Sequence, residues 1–285
     1  MRQVSMLNVF YAVLFLSLLP IAALAESDPG EEGATLAANL GIPLPPIAPE
    51  RGGGEGQGPF DRLVIDRVML VDGLGSPPRG PVSIVIEQDT IVAITSRPPA
   101  PIDNEIRLDG RGKTALPGFV DAHVHIGNPL QGLAGPITPP EYVFKLWLAH
   151  GITTVRDVGS VMGLDWTVKH AELSDAGAIV APRIIPYAMF PGASGTGIGG
   201  VVTEDQPARE WVRAVKRKGA KGVKLRGGTR EALSAVYDET QRQGMGTASH
   251  HDQNGVYDMN VLDSARLGLD SMEHWYGLPE AMFTD

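Results

Sequence analysis

The sequence contains no cysteine. This absence excludes disulfides, zinc–thiolate sites, a catalytic thiol and a lipidated N-terminal cysteine. Basic residues are also scarce, because 24 Lys and Arg face 33 Asp and Glu and leave a formal net charge of −9. A charge of that sign argues against nucleic acid as a partner. With 285 residues, the chain is long enough for one large domain and one small domain.

A hydrophobic run long enough to span a bilayer comfortably is also missing. The run Val9–Leu19 is almost wholly apolar but short, Arg2 precedes it, and Ala23-Leu24-Ala25 offers a small-x-small cleavage site before Glu26. This pattern predicts a secretory signal peptide over residues 1–25, which the export machinery reads, and a periplasmic or secreted product. An uncleaved membrane anchor is the alternative.

Residues 26–60 are rich in Gly and Pro and show no persistent apolar period, so we expect a flexible leader there. From Leu63 the Gly- and Pro-rich composition gives way to β-branched and other apolar residues. Short β-rich runs, separated by turn residues, occur at 63–65, 68–71, 82–86, 90–94 and 105–108. They predict a small antiparallel β-sheet module of β-sandwich type over residues 61–113.

From residue 114 onward the pattern alternates between strand and helix, which is typical of a parallel sheet. Strands are predicted at 119–125, 152–158, 183–189, 222–226, 245–250 and 271–274, and helices at 140–149, 165–176, 205–218, 230–242 and 256–267. The fold class is therefore α/β, with a partial TIM-type (β/α)8 barrel of about six strands. A full barrel takes about 250 residues, so residues 114–285 are expected to be an incomplete barrel that continues beyond Asp285.

His123 and His125 lie two residues apart on the first of these strands. Side chains alternate along a strand, so both imidazoles leave the same face, close enough to share one metal ion. Asp121 precedes the pair by two residues and shares that face. An isolated His-x-His is common, and a structural role for the pair is the alternative.

The carboxyl ends of the other strands carry further candidate ligands. Lys224 ends the fourth strand, His250 and His251 end the fifth, and His274 ends the sixth. Active sites of such barrels lie at these ends. A desolvated lysine has a lowered pKa, and its free amine can add carbon dioxide to form a carbamate, which bridges two cations as a carboxylate would. An ion pair with a carboxylate is the alternative role for the lysine.

His250 and His251 cannot serve equally, because neighbouring side chains of a strand point to opposite sides. The spacing from the preceding residues favours His250, and His251 stays open. Arg156 and Asp157 end the second strand and are expected to make an internal ion pair, with contact to substrate as the alternative.

The remaining candidates near the strand ends have less specific roles. Arg226 and Glu273 flank ligands and are expected to orient them or to meet substrate. His150 and His170 fall on helices and are expected to be surface or satisfied core histidines. The Gly-rich run 192–200 is expected to form a flexible loop over the site.

Four motifs together resemble the amidohydrolase superfamily, and more narrowly its imidazolonepropionase- and prolidase-like metal-dependent hydrolases. They are Leu-Pro-Gly-Phe-Val-Asp-Ala-His-Val-His at 116–125, Gly-Ile-Thr-Thr-Val-Arg-Asp at 151–157, Gly-Val-Lys-Leu at 222–225 and Gly-Leu-Asp-Ser-Met-Glu-His at 268–274. The likeness covers about residues 61–285.

The resemblance implies a ligand set. His123 and His125 would bind the more buried metal, Lys224 would be the carboxylated bridge, and His250 and His274 would bind the second metal. The family's remaining ligand, an Asp at the end of strand eight that also serves as general base, is expected beyond Asp285. The implied cofactors are two divalent ions, with zinc expected, and carbon dioxide as the lysine carbamate. Manganese, iron or cobalt would also suit such ligands.

The resemblance also implies a reaction. A metal-activated hydroxide at a binuclear site would hydrolyse carbon–nitrogen bonds of a small-molecule amide, dipeptide or cyclic amide. Two alternatives remain open. One is a mononuclear deaminase or imidazolone-type hydrolase of the same superfamily, which would lack the lysine bridge. The other is a non-catalytic exported barrel fragment. Assembly as a homo-oligomer is left open by the sequence.

Overall fold

The computed structural model describes residues 41–192, 199–251 and 255–283. The predicted signal peptide and residues 26–40 of the predicted leader therefore lie outside the described residues. Among the helices that are described, none combines the length and apolar character needed to cross a bilayer.

The small module is one mixed sheet. Its strands are β1 (Phe60–Leu70), β2 (Arg79–Gln88), β3 (Thr90–Thr95), β4 (Ile106–Asp109) and β5 (Thr114–Ala115). They lie in the order β3-β2-β1-β4, with β5 also paired to β1. Strands β1, β2 and β3 are antiparallel, whereas β4 and β5 run parallel to β1. The prediction of an antiparallel sheet was therefore wrong for β4, because the chain crosses back before it, and β5 lies just beyond the predicted module.

The larger unit is a parallel sheet with helices between its strands. The strands are β6 (Phe119–Val124), β7 (Ile152–Gly159), β8 (Arg183–Met189), β9 (Gly222–Leu225), β10 (Gly246–Ser249) and β11 (Ser271–Met272). They pair in chain order, and every pair is parallel. The prediction of a partial TIM-type barrel of six strands behind a small N-terminal module is confirmed.

In the described ranges, five α-helices connect these strands: α1 (Pro140–Ala149), α2 (Leu164–Asp175), α3 (Asp205–Arg217), α4 (Arg230–Arg242) and α5 (Val261–Arg266). A 3-10 helix, Pro129–Leu133, precedes α1. Local signals set their ends. The Thr229 side chain caps α4 by accepting from the Ala232 backbone. Asn260 and Asp263 form a capping box, so α5 begins at Val261 and not at residue 256 as predicted.

The core lies between the sheet and the helices. Trp211, Val212 and Val215 of α3 and Val236 and Tyr237 of α4 are at most 3% exposed and pack together over the sheet. On the lumen side, Tyr187 of β8 fills the space above two glycines that begin β9 and β10. A Cβ on Gly222 would stand 2.3 Å from Tyr187 Cζ, and one on Gly246 would stand 2.1 Å from Tyr187 Oη.

The described part of the predicted leader packs against the barrel. The Ala48 backbone N–H donates to Nε2 of buried His170 over 3.0 Å, and the Trp166 indole donates to the Pro45 carbonyl over 3.1 Å. The Arg51 backbone N–H donates to the Ala178 carbonyl. Residues 45–51 therefore lie along α2 and the turn after it, which differs from a flexible leader, because the α2 surface supplies partners that composition does not reveal.

Candidate metal centre

All five predicted ligands line one cavity of about 510 Å³ at the carboxyl ends of the barrel strands. His123 and His125 lie at the end of β6, and Lys224 lies on β9. His250 follows β10, and His274 lies two residues after β11. The structure thus brings these side chains together from four separate segments of the chain.

The imidazole rings form a connected row. The ring centroids of His123 and His125 are 5.3 Å apart, those of His123 and His274 are 4.8 Å apart, and those of His250 and His274 are also 4.8 Å apart. His274 holds a positive φ of 62°, which is uncommon outside glycine and turns up at functional sites. Among the described residues, no group of three or more His, Asp or Glu side chains is arranged so that it could hold a metal ion.

Lys224 is the unusual member of the cavity. It is only 2% exposed, and its Nζ has no hydrogen-bond partner among the described residues. Burial lowers the pKa of Lys224 to about 8, against the opposing charge of Glu273. A buried amine without an acceptor is costly. Conversion of this amine to an anionic carbamate would give it oxygens that cations satisfy, so the donor set fits a bridged pair of divalent ions.

Glu273 is a buried carboxylate that contacts the His123 ring. It is 5% exposed, and it accepts hydrogen bonds from His123 Nδ1, Ser271 Oγ and the Arg156 guanidinium. Burial raises the pKa of its carboxyl, but the Ser271 hydrogen bond, the Arg156 charge and the His123 hydrogen bond outweigh burial and leave that pKa below its usual value. A carboxylate only accepts, so His123 Nδ1 carries a proton, and in the neutral ring Nε2 would be the nitrogen with a lone pair for a metal.

Arg156 makes its ion pair with Glu273, whereas it was expected to pair with Asp157. Its Nε also donates to the Ala122 carbonyl, and its guanidinium carbon lies 5.2 Å from the Tyr187 ring centre. Asp157 points instead to α2, where Thr167 Oγ1 donates to its Oδ2 over 3.2 Å. The expected pair fails because neighbouring residues of a strand face opposite sides of the sheet.

Two further imidazoles of the cavity are held neutral. Burial, followed by the charges of His123 and Lys224, lowers the pKa of His125 to about 4. The same causes in the same order lower the pKa of His274. A neutral imidazole is the form that binds a metal, and both lowered pKa values favour that form.

His250 and His251 take different places. His250 lines the cavity, and its ring stacks on Tyr276 at 4.8 Å. His251 turns away, is 5% exposed, and its Nε2 lies 3.0 Å from Ser264 Oγ on α5. The geometry therefore favours His250 as the ligand, and it gives His251 a place in the packing between β10 and α5.

The remaining predicted residues have supporting positions. Asp121 Oδ1 accepts from the His123 backbone N–H over 3.1 Å. His150 is exposed and His170 is buried, and each has a hydrogen-bond partner within its own helix or just beyond it. Of the loop predicted over the site, residues 193–198 lie outside the described residues.

Curated proteins match parts of this chain at about 30% identity. No family model matches the chain. Adenine deaminase of Bacillus licheniformis is 33% identical over 91 residues, which is 29% of this chain and 15% of that protein. Adenine deaminase of Edwardsiella ictaluri is 32% identical over 166 residues, which is 54% of this chain and 26% of that protein. The chain thus matches about a quarter or less of these curated relatives' lengths.

Solved structures share the fold over most of the chain. A Xaa-Pro dipeptidase with bound methionine superposes with a TM-score of 0.58 at 24% identity and covers 75% of this chain and 61% of its own. Phenylurea hydrolase B superposes with a TM-score of 0.60 at 19% identity and covers 75% and 59%. At these identities the likeness establishes the fold.

Proposed function

We propose, from the amidohydrolase-superfamily fold that this chain shares with those solved structures, that it supplies the metal centre of a hydrolase acting on carbon–nitrogen bonds. Members of this superfamily generally use divalent metals. The observation that carries the proposal is the cavity in which four imidazoles surround a buried lysine amine that has no hydrogen-bond partner among the described residues.

The finer proposal is a binuclear centre. His123 and His125 would hold one ion, His250 and His274 the other, and the carbamate of Lys224 would lie between them. When bound, divalent ions of this kind activate water near neutral pH and polarise a carbonyl. Zinc suits imidazole and carboxylate ligands, as do other first-row ions.

The chain's own residues prepare the ligands. Glu273 fixes the orientation of the His123 ring and its proton on Nδ1, and Arg156 fixes Glu273 from the other side. The desolvated environment of Lys224 favours its uncharged amine, which is the form that adds carbon dioxide. No Asp or Glu lines the cavity in the described ranges.

Metal analysis of the full chain tests the centre. Reconstitution with zinc in bicarbonate should give two equivalents for the wild type and fewer for Lys224→Ala. Hydrolysis of small amides should fall in Lys224→Ala and recover when formate or acetate is added, because a free carboxylate can take the place of the carbamate. Lys221→Ala, a change at an exposed lysine three residues earlier, is the control and should retain both metal and activity. A wild type that holds well under one equivalent would contradict the proposal.

A second candidate follows from the curated relatives, which carry the name adenine deaminase. In that case the chain would act with a single ion and would release ammonia from an aminopurine. Lys224 separates the two candidates, because a mononuclear site does not need a bridge. Undiminished ammonia release from adenine by Lys224→Ala would favour the deaminase.

We also propose that the protein is exported, on the basis of the apolar run and the small-x-small site within residues 1–25. Expression of the full chain followed by fractionation tests this proposal. A mature N-terminus at Glu26 in the periplasmic or external fraction is expected, and retention of residues 1–25 on a cytosolic protein would contradict it.

A further inference from the structure

Arg226 occupies the cavity wall just beyond the lysine strand. Strand β9 ends at Leu225, and Arg226 is the next residue. Side chains alternate along an extended chain, so Lys224 and Arg226 share one side while Leu225, 1% exposed, packs into the core. Both Lys224 and Arg226 line the cavity. Two residues of extended backbone separate them by roughly 7 Å along the strand direction.

The guanidinium of Arg226 has no carboxylate partner in the described part of the chain. The other arginine of this region, Arg156, is fully engaged by Glu273 and by the Ala122 carbonyl. Arg226 is exposed to the cavity, and no ion pair or hydrogen bond joins its side chain to another described residue. A guanidinium carries five N–H donors in a planar fork that matches a carboxylate. Arg226 therefore offers a recognition group that the protein itself does not use.

The surrounding cavity favours an anion. Its polar lining in the described residues consists of imidazoles, the Lys224 amine, Arg226 and the neutral Asn128, and no carboxylate is among them. Val161 and Met189 add an apolar wall on the same cavity. The imidazoles are uncharged as metal ligands and Lys224 would be a carbamate, so the Arg226 guanidinium is the cationic side chain that this lining presents to a ligand. A ligand with one carboxylate and a small apolar group matches this lining.

We propose that Arg226 binds a carboxylate of the substrate, and that the site takes amides with a free carboxylate next to the scissile bond, such as N-acyl amino acids and dipeptides with a free C-terminus. This inference rests on the proposed hydrolase function. In such a substrate, one Cα separates the amide nitrogen from the carboxylate, so a centre at Lys224 and an anchor at Arg226 serve adjacent groups. Water adds to the acyl carbon, the C–N bond breaks, and the leaving amine takes the proton.

Calorimetric titration of the full chain after chelator treatment tests the subsite without turnover. The probes are N-acetyl-L-alanine and its neutral C-terminal amide. Wild-type protein should bind the carboxylate probe about 10- to 100-fold more tightly than the amide, because charge-assisted bidentate hydrogen bonds are lost in the amide. Arg226→Met should remove this preference. Arg183→Met, at an exposed arginine that begins β8 at the opposite end of the sheet, is the control and should keep it.

The outcomes separate this inference from the proposed function. Equal affinity of Arg226→Met and the wild type for N-acetyl-L-alanine, or no preference in the wild type, overturns the inference. If the metal-loaded wild type cleaves N-acetyl-L-alanine and Arg226→Met has the same KM, the inference fails while the hydrolase stands. If Arg226 governs binding and the metal-loaded protein cleaves no amide, the hydrolase fails while the carboxylate subsite stands. Arg226→Lys should bind with intermediate affinity, because it keeps the charge and loses the fork.

Discussion

His123 Nδ1 donates a hydrogen bond to Glu273 Oε2 across 150 positions of sequence. The bond joins the first strand of the barrel sheet to the residue that follows β11, and it sets the proton on Nδ1 of a cavity imidazole. Arg156 and Ser271 donate further hydrogen bonds to the same carboxylate, through its Oε1.

Glu273→Gln should weaken metal binding by about 10- to 100-fold, because the amide is a poorer acceptor for His123 and no longer balances Arg156. Competition with a chromogenic chelator measures the affinity. Glu172→Gln, at a carboxylate whose side chain is 65% exposed on α2, is the matched control and should bind as the wild type does. Equal affinity of Glu273→Gln and Glu172→Gln would show that the His123 contact does not tune the site.

His250→Ala and His251→Ala should fail in different ways. His250→Ala should lose metal affinity and keep most of its stability, because that ring lines the cavity. His251→Ala should keep more metal affinity than His250→Ala but lose about 1–3 kcal/mol of unfolding free energy, because it removes a buried ring and the partner of Ser264. Metal titration and urea unfolding of both variants separate the two effects, and a larger metal loss in His251→Ala would reverse the assignment.

Asp157 should make the stability of the protein depend on pH. The group is 1% exposed, and burial raises the pKa of Asp157 to about 7 against the opposing hydrogen bonds from Thr167, Ile126 and Ser160. Between its ordinary pKa and pH 7, the folded state therefore holds a proton that the unfolded state has lost, and the free energy of unfolding falls as the pH rises through that window.

Asp157→Asn should flatten this dependence between pH 5 and pH 8, by an amount on the order of a few kcal/mol at most. Urea unfolding at both values measures the change. Asp175→Asn changes an exposed carboxylate at the end of α2 and should leave the pH dependence of stability unchanged. An identical pH profile for Asp157→Asn and the wild type would mean that Asp157 is charged in the fold.

Gly246→Ala should destabilise the barrel by about 1–3 kcal/mol, because its Cβ would stand 2.1 Å from Tyr187 Oη. Adding Tyr187→Phe removes that oxygen and should restore part of the loss. Gly222→Ala meets Tyr187 Cζ at 2.3 Å, so the same second change should not rescue it. Gly135→Ala, with nothing within 4 Å of the added carbon, is the neutral control for thermal unfolding. Equal rescue of both glycine variants would contradict this packing.

Much of the barrel could be predicted because its signals are local. Strand–helix alternation and glycines after each helix indicate βα units, and Gly151, Gly177, Gly219, Gly244 and Gly268 all adopt positive φ. The gathering of candidate ligands then follows, since the carboxyl ends of parallel strands share one edge. The different places of His250, in the cavity, and His251, against Ser264, follow from the backbone direction after β10, which the sequence leaves open.

The parts that were missed depend on distant partners. The direction of β4 is set by pairing with β1 some 40 positions earlier, and the run itself fits either direction. Arg156 could have paired with its neighbour Asp157 until the fold showed Glu273, 117 positions away. Residues 45–51 looked unstructured by composition, yet α2 offers them His170 and Trp166 as partners.

The hydrogen bond from the Ala48 N–H to His170 should make the packing of residues 45–51 against α2 sensitive to acid. His170 Nδ1 faces the Trp166 carbonyl, so this nitrogen carries the hydrogen, and Nε2 is left as the acceptor for the Ala48 N–H. Burial lowers the pKa of His170 below its ordinary value, which keeps the ring neutral. Protonation of Nε2 would leave a donor facing the Ala48 N–H, so acidification should break this contact, whereas the Trp166–Pro45 and Arg51–Ala178 hydrogen bonds do not involve His170.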